Sequence, residues 1–173
     1  IVPRKAVMEL QQIISANDEE ITLKVSQNQI NVVGSVFSFT SKLIEGNYPD
    51  YEKVFPVGDE SKLIVDKNEF NTALSRASVL SNEKYRGIRL SLNKDLLKIE
   101  ANNPEKESAE EEIKVDYSGP ELEIGFNISY LQESLTTIKD LSAEIVFFGQ
   151  ESSCIVKNKE NEDLIHVIMP MRL

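Results

Sequence analysis

The spacing of apolar residues in the first part of the chain predicts one helix followed by three strands. From Pro3 to Ile14, apolar residues recur every three or four positions, as on one face of a helix. The proline stands at the helix entrance, where its missing N–H costs nothing. Three segments of strand-like composition follow, "ITLKVSQ", "INVVG" and "SFTSKLI".

The same order of elements recurs twice more, which indicates an internal repeat. The second copy reads "KLIVD", the helix "KNEFNTALSRASVL", and then "GIRLSLN", "LLKIEAN" and "EEIKVDY". The third reads "LEIGFN", the helix "SYLQESLTTI", and then "AEIVFFG", "SCIVKN" and "LIHVIMPM". A complete copy is therefore a β-α-β-β-β unit, and the first copy lacks its opening strand. Such units predict an α+β fold in which helices pack on one face of antiparallel sheets.

A segment rich in glycine, proline and charge, "EGNYPDYEKVFPVGDE", separates the first copy from the other two and is typical of a linker. The two complete copies together have the usual size of one domain. We therefore predict that residues 1–52 are half of a truncated domain and that residues 53–173 are a complete domain. The missing opening strand and the absence of an initiator methionine predict a fragment of a longer chain.

Composition and charge narrow the class of protein. One cysteine among 173 residues excludes an internal disulfide and a cysteine-built zinc site, and it suits the reducing cytoplasm. No apolar run approaches the roughly 18 residues of a membrane span, so no membrane role is expected. The net charge of −10 argues against simple nucleic-acid binding, which needs clustered lysine and arginine. The three predicted helices, taken to Lys139, nevertheless sum to about +2, which leaves about −12 elsewhere. Their exposed face is either a less acidic functional surface or a solvated face with incidental charges.

The sequence offers little for catalysis, and we predict no catalytic residue, metal site or cofactor. His166, the one histidine, lies in an alternating strand, where a structural role is more common than a catalytic one. Cys154 has no companion motif that would mark a nucleophile, and it reads as a half-buried strand thiol. The run "EKESAEEE" lacks the spacing of a calcium loop and is better explained as a charged strand edge or an ion-pairing surface.

Five segments, in order along essentially the whole chain, resemble the bacterial DNA polymerase III beta subunits, the sliding clamps. They are "FTSKLIEGNYPDY", "LSNEKYRGIRL", "ANNPEKESAEEE", "YSGPELEIGFNISYL" and the terminal "MPMRL". The resemblance places this chain at the second half of the family's middle domain and the complete C-terminal domain. It independently implies the half domain that the repeat predicts.

The resemblance implies a replication processivity factor of the bacterial cytoplasm, at the replication fork. Full-length subunits of the family form homodimeric, head-to-tail rings whose helices line a hole around duplex DNA. A ring holds DNA by topology, so it can be acidic overall and can touch phosphates without reading sequence. Arg4, Lys5 and Arg76 are the expected DNA-facing residues; the alternative is that they only keep the surface soluble.

The family also has an apolar pocket between its middle and C-terminal domains that binds short linear motifs of its partners. These partners are replicative and translesion polymerases, clamp-loader subunits, mismatch-repair proteins and ligase. Carried over by position, the pocket comprises Pro49, Lys53, Val54, Asn127, Tyr130, Ser153, Val167, Ile168, Met169, Pro170, Met171, Arg172 and Leu173. Methionine suits a site with several ligands because its side chain adapts, although core filling would also explain the two methionines of the tail. Lys53 stands where the family often has arginine, which weakens any forked hydrogen bond there. One wall of the pocket comes from earlier residues, so this chain should bind such peptides weakly.

The resemblance further implies a subunit interface. Val79 and Leu80, at the end of the second predicted helix, form its apolar part, while Glu105, Glu107 and Glu111 pair with basic residues of the neighbour. Ser108 interrupts the acidic run, which puts the number of ion pairs in doubt. A peptide-binding adaptor without any DNA role is the alternative function.

Overall fold

The computed structural model describes residues 1–14, 20–159 and 164–172. The chain divides into two compact units, Ile1–Asp50 and Tyr51–Leu173. The division falls inside the segment that the sequence marks as a linker.

The first unit is one helix followed by a three-stranded antiparallel sheet, as its apolar spacing predicts. Its elements are α1 (Arg4–Ile13), β1 (Thr22–Val25), β2 (Gln29–Val33) and β3 (Ser38–Lys42), in sheet order β1-β2-β3. The helix starts directly after Pro3, whose carbonyl accepts the N–H of Val7 at 3.2 Å. Residues of α1, β1 and β2 line an open apolar cleft of about 550 Å³. This unit therefore has a small core and leaves an apolar face uncovered.

The second unit contains two complete β-α-β-β-β repeats, as predicted. The first is β4 (Ser61–Asp66), α2 (Lys67–Ser78), β5 (Gly87–Asn93), β6 (Leu96–Asn102) and β7 (Ser108–Lys114). A short strand, β8 (Asp116–Tyr117), follows it. The second repeat is β9 (Leu122–Asn127), α3 (Ile128–Thr137), β10 (Ser142–Phe147), β11 (Cys154–Asn158) and β12 (Ile165–Ile168).

The two repeats exchange their opening strands. One sheet has the order β12-β11-β10-β4-β8 and the other β7-β6-β5-β9, with every pairing antiparallel. Thus β4 of the first repeat pairs with β10 of the second, and β9 of the second pairs with β5 of the first. Neither repeat can complete its sheet without the other.

Equivalent hydrogen bonds at the two strand-to-helix junctions make the repeats pseudosymmetric. The first residue of α2 donates its N–H to Leu141, just before β10, and the first residue of α3 donates its N–H to Arg86, just before β5, both at 2.9 Å. Each helix also has a side-chain cap. Asp66 accepts the N–H of Glu69, and Asn127 accepts the N–H of Ser129. Such caps satisfy backbone donors that the first helical turn would leave unpaired.

The core of the second unit lies between the helices and the two sheets. On α2 the buried residues are Phe70, Ala73, Leu74 and Ala77, at the three-to-four spacing of one helix face. The α2 helix contacts α3 and strands β4, β6 and β7, whereas α3 contacts β9 and β12. Phe126 of β9 and Phe147 of β10 are fully buried with ring centroids 6.5 Å apart, so an aromatic pair joins the two sheets.

Several boundaries differ from the sequence-based expectation. The predicted strand "EEIKVDY" breaks at Val115, because β7 pairs with β6 in one sheet and β8 pairs with β4 in the other. The second helix ends at Ser78, so Val79 and Leu80 lie in the turn that follows it. The third ends at Thr137, which excludes Lys139 and lowers the helix charge to about +1. Cys154 is fully buried rather than half-buried.

We expect Gly119→Ala to destabilise the second unit by about 1–3 kcal/mol, because the site has no room for a methyl group. A Cβ at Gly119 would lie 2.6 Å from the hydroxyl oxygen of Tyr117, and that hydroxyl donates to the carbonyl of Pro120 at 2.6 Å. Tyr117 is fully buried and cannot move aside freely. Urea denaturation would measure the change, with the exposed Ser118→Ala as its matched control. Equal stability of the two variants would contradict this account.

Candidate functional site

The C-terminal tail, residues 169–172 as described, joins the edges of the two sheets. Strand β12 pairs with β11, so that the buried Ile168 lies opposite Cys154. The chain then leaves this sheet at Met169 and Pro170, and the N–H of Met171 donates to the carbonyl of Gly125 on β9 at 2.8 Å. The expected continuous strand "LIHVIMPM" therefore ends at Ile168, and its last residues attach to a different sheet.

The tail side chains are largely available to a ligand. Met169 is 69% exposed, whereas Pro170 and Met171 are half-buried. Arg172 lies 3.9 Å from Glu151, but both side chains are almost fully exposed, so this pair contributes little to holding the tail. Leu173 lies outside the described residues.

Three of the other residues expected in the pocket lie next to the tail. Ser153 directly precedes Cys154, the partner of Ile168. The antiparallel bridge to Gly125 puts Asn127 on the Met169 side of the tail. Tyr130 is an exposed residue in the first turn of α3. Val167 lies in β12 opposite Ile155. The structure thus brings the tail, Ser153 and the start of α3 to one region of the second unit.

The remaining expected pocket residues lie in the linker. Lys53 and Val54 belong to a 3-10 helix, Tyr51–Val54, and both are exposed. Pro49 belongs to the first unit. Sequence reasoning missed Gly125 because it acts through its carbonyl oxygen, and it missed Tyr85, whose carbonyl accepts a hydrogen bond from Asn127 at 3.2 Å.

The expected DNA-facing residues divide into two groups. Arg4 and Lys5 are exposed in the first turn of α1. Arg76 on α2 instead forms a forked ion pair with Glu111 of β7, with Nε–Oε1 at 2.8 Å and Nη2–Oε2 at 2.6 Å. One residue expected at the DNA and one expected at the subunit interface are therefore bound to each other.

Most of the expected interface residues lie at one end of the second unit. Val79, Glu105 and Glu107 line a cleft of about 510 Å³ together with residues of the turn after α2. Val79 is 78% exposed, so its apolar side chain is available to a partner. Leu80 is half-buried beside it. The Asn103 side chain holds the turn between β6 and β7, since its amide donates to the Glu107 carboxylate and its amide oxygen accepts the N–H of Glu107.

The charged strand edge expected for the acidic run is confirmed. Strand β7 is the outermost strand of its sheet in the described part of the chain. Lys98 binds Glu110 at 2.9 Å on one face, while Arg76 binds Glu111 on the other. These two ion pairs connect the acidic strand to its neighbours.

We expect the Arg76 fork to hold the pKa of the Glu111 carboxyl below its usual range, mainly through the hydrogen bonds and then through charge attraction. Because this pKa is lower in the folded than in the unfolded state, the pair stabilises the fold above the ordinary glutamate pKa. That contribution is lost as the pH falls through the lowered value. An NMR titration of Glu111 measures the shift, which should disappear in Arg76→Gln and persist in the matched Lys62→Gln variant. An ordinary pKa for Glu111 in the unmodified chain would contradict the fork.

His166 has a structural hydrogen bond. Its Nε2 lies 2.7 Å from the hydroxyl oxygen of Thr137, the last residue of α3. The hydroxyl also lies 2.7 Å from the carbonyl of Ser134, and when it donates there, it accepts a hydrogen bond from the Nε2–H tautomer of His166. The histidine thereby ties β12 to the end of α3.

The described residues show no arrangement typical of catalysis. Burial raises the pKa of the Cys154 thiol to about 12, which keeps it protonated and unreactive. No group of three or more histidine, cysteine, aspartate or glutamate side chains in the described ranges is placed to hold a metal ion. None of the described helices has both the length and the apolar character that a membrane crossing requires.

The structure thus defines an α+β protein in which two β-α-β-β-β repeats exchange their opening strands. It also has a partly exposed C-terminal tail and an acidic edge strand, β7. Two family models match it. Residues 52–172 match the DNA polymerase III beta subunit, C-terminal domain, and residues 1–50 match the central domain of the same subunit. The chain belongs to the DNA polymerase III beta subunit family, and the predicted resemblance is confirmed.

Relatives and solved structures agree with this assignment. The chain is 46% identical to the beta sliding clamp of Pseudomonas aeruginosa and 40% identical to that of Escherichia coli K12, in each case over its whole length. It spans 47% of either relative, so it is similar to about half of a clamp subunit. A crystal structure of the P. aeruginosa clamp covers the whole chain with a TM-score of 0.94, and another was solved bound to griselimycin. The Caulobacter crescentus beta subunit matches with a TM-score of 0.93 at 32% identity. These likenesses confirm the predicted clamp fold.

Proposed function

We propose that this chain is part of a DNA sliding clamp, a processivity factor that encircles duplex DNA and tethers other replication proteins to it. The observation that carries the proposal is the match of both units, in order, to two consecutive domains of the beta subunit. In this proposal residues 1–52 are the second half of the middle domain and residues 53–173 are the C-terminal domain. The protein acts in the bacterial cytoplasm, at the replication fork, by binding rather than by catalysis.

The DNA role uses topology rather than affinity. A chain with a net charge of −10 cannot hold DNA by charge neutralisation alone, whereas a closed ring need only guide it. Arg4 and Lys5, exposed together at the start of α1, are the proposed phosphate contacts. Such contacts carry no sequence information and allow the ring to slide.

The partner role uses the tail region. The exposed Met169, the half-buried Pro170 and Met171, and the exposed Tyr130 present apolar surface beside polar groups of Asn127 and Ser153. This combination fits a short extended peptide with apolar side chains. The proposed ligands are linear motifs of DNA polymerases, clamp-loader subunits, mismatch-repair proteins and ligase. The proposed pocket also includes Pro49, Lys53, Val54, Val167, Ile168, Arg172 and Leu173.

The ring role uses the acidic end of the second unit. Val79, Glu105 and Glu107 line one cleft, and Leu80 follows Val79 in the chain. With the carboxylate of Glu111, this surface combines apolar residues with acidic neighbours. We propose that this surface meets a basic surface of a second full-length subunit, so that two subunits close a homodimeric ring.

Retention of the full-length subunit on circular DNA tests this function directly. After loading by a clamp loader, the subunit should stay on closed circles through gel filtration and leave when a restriction enzyme linearises them. Blocking both ends of the linear DNA with bound proteins should restore retention, because the ring can no longer slide off. Equal retention on open linear and circular DNA would contradict encirclement. No retention on either would favour the peptide-binding adaptor.

A further inference from the structure

The Arg76–Glu111 ion pair connects a helix to an edge strand and is geometrically specific. Both nitrogens that contact the carboxylate belong to one side of the guanidinium, and both carboxylate oxygens are used. A planar fork of this kind fixes the direction of the carboxylate as well as its position. The Glu111 side chain is only 24% exposed and that of Arg76 is 55% exposed, so the carboxylate is the more enclosed partner.

The strand that Glu111 belongs to has one side without a strand partner among the described residues. Strand β7 pairs with β6 through all seven of its residues and lies at the end of its sheet. An open edge is prone to slip or to pair with other chains unless side chains fix it. Arg76 ties β7 to α2 on the helix side, and Lys98 ties it to β6 on the outer face.

The same fork lies next to the proposed subunit interface. Val79 is the C-cap residue of α2, three residues after Arg76, and its backbone keeps helical angles, so the two side chains leave neighbouring positions at the end of this helix. The turn that carries Glu105 and Glu107 leads directly into β7. The fork therefore joins α2 and β7, the two elements whose adjoining turns carry the two sides of the cleft at Val79.

The fork leaves Glu111 able to accept another cation. A carboxylate has about four lone-pair directions, and the two hydrogen bonds from Arg76 use two of them. The fork uses two of the five N–H donors of Arg76 and balances its charge with that of Glu111, which reduces the attraction of Arg76 for a DNA phosphate. Its retained charge stabilises the ionised form of Glu111, as the lowered pKa of that group indicates.

We propose that Arg76 is a positioning residue of the subunit interface, which fixes Glu111 and the β7 edge for the neighbouring subunit, and that it does not contact DNA. This inference rests on the proposed ring function. It replaces the expectation from sequence that Arg76 faces DNA.

The test compares Arg76→Gln, Arg76→Lys, Glu111→Gln and the double variant in the full-length subunit, with Lys62→Gln as the matched control for loss of a paired cation. Subunit exchange between donor-labelled and acceptor-labelled dimers measures ring stability. We expect Arg76→Gln to weaken the dimer about tenfold, close to the effect of Glu111→Gln, and the double variant to be no weaker than Glu111→Gln alone. Arg76→Lys should recover only part of the affinity, because lysine lacks the fork.

A second readout separates positioning from DNA contact. In rings closed by an engineered disulfide at the interface, Arg76→Gln should leave the salt dependence of retention on circular DNA unchanged, whereas loss of a phosphate contact would lower it. In this chain alone, the same substitution should speed hydrogen exchange of β7 amides, and Lys62→Gln should not. An unchanged dimer with weaker DNA retention for Arg76→Gln would overturn the proposal. Failure of the unmodified subunit to dimerise would instead overturn the ring function, so the two failures are distinguishable.

Discussion

Removing residues 169–173 from the full-length subunit is expected to weaken binding of a fluorescent Gln-Leu-x-Leu-Phe peptide about a hundredfold or more, or about 2.8 kcal/mol. This peptide is the partner motif that the family resemblance implies. The deletion takes away Met169 and Met171, and burying a methionine side chain fully is worth about 1.5–3 kcal/mol. It also removes the segment that joins the two sheet edges. Fluorescence anisotropy measures the affinity, and the same peptide without its label serves as a competitor.

Two substitutions at one position separate the backbone anchor from the side chain. Met171→Pro removes the N–H that donates to Gly125, whereas Met171→Leu keeps it with a side chain of similar volume. We expect about tenfold weaker binding for the proline variant, because the tail must then be ordered when the peptide binds. The leucine variant should bind within about threefold of the unmodified subunit. Full affinity after deletion of the tail would show that peptides dock elsewhere.

This chain alone should bind the peptide more weakly than the full-length subunit, since it spans only 47% of its relatives. Equal affinity of the two would mean that the tail region of the second unit is a complete site. If each tail variant lowers the affinity by the same factor in this chain and in the full-length subunit, the tail makes the same contacts with the peptide in both proteins.

Phe126→Ala is expected to destabilise the second unit by about 3–5 kcal/mol, the largest stability effect that we foresee. The Phe126 ring is fully buried and lies 6.5 Å from that of Phe147, across the junction between the sheets. Its removal leaves a cavity where β9 and β10 meet, and β9 also carries the carbonyl that anchors the tail. Thermal unfolding should show a midpoint lower by about 10 °C or more.

Phe126→Leu is the matched control for this substitution, because it keeps most of the apolar volume and should cost less than half as much. The alanine variant should also bind the peptide less well at temperatures where it remains folded, since the position of Gly125 depends on this contact. Similar stability of the alanine and leucine variants would contradict the proposed packing role.

The helices and the repeat were predictable because they depend on patterns in one continuous segment. Residues such as Phe70, Leu74 and Ala77 recur at helical spacing, and the strands alternate between buried and exposed positions. The break at Val115 could not be predicted, since an apolar alternation continues across it while the chain passes from one sheet to the other. Local patterns define elements but not the partners of those elements.

Candidate site residues could be proposed from the sequence only where a family motif includes them. The tail was identified from "MPMRL". Its attachment to Gly125 is a backbone hydrogen bond, which does not depend on side-chain identity and so cannot be inferred from the sequence. The Arg76–Glu111 fork joins residues 35 positions apart, and charge alone does not say which of many acidic side chains an arginine will bind. For the same reason, sequence assigned these two residues to different surfaces.

The exchange of β4 and β9 between the repeats has a consequence for how the second unit folds. Each repeat contains only part of each sheet, so the hydrogen bonds of the opening strands form only when both repeats are present. The unit should therefore gain and lose its structure in one cooperative transition, with slow folding because these contacts are far apart in sequence. A chain cut in the exposed connection before Leu122 would yield two pieces that fold by combining with each other.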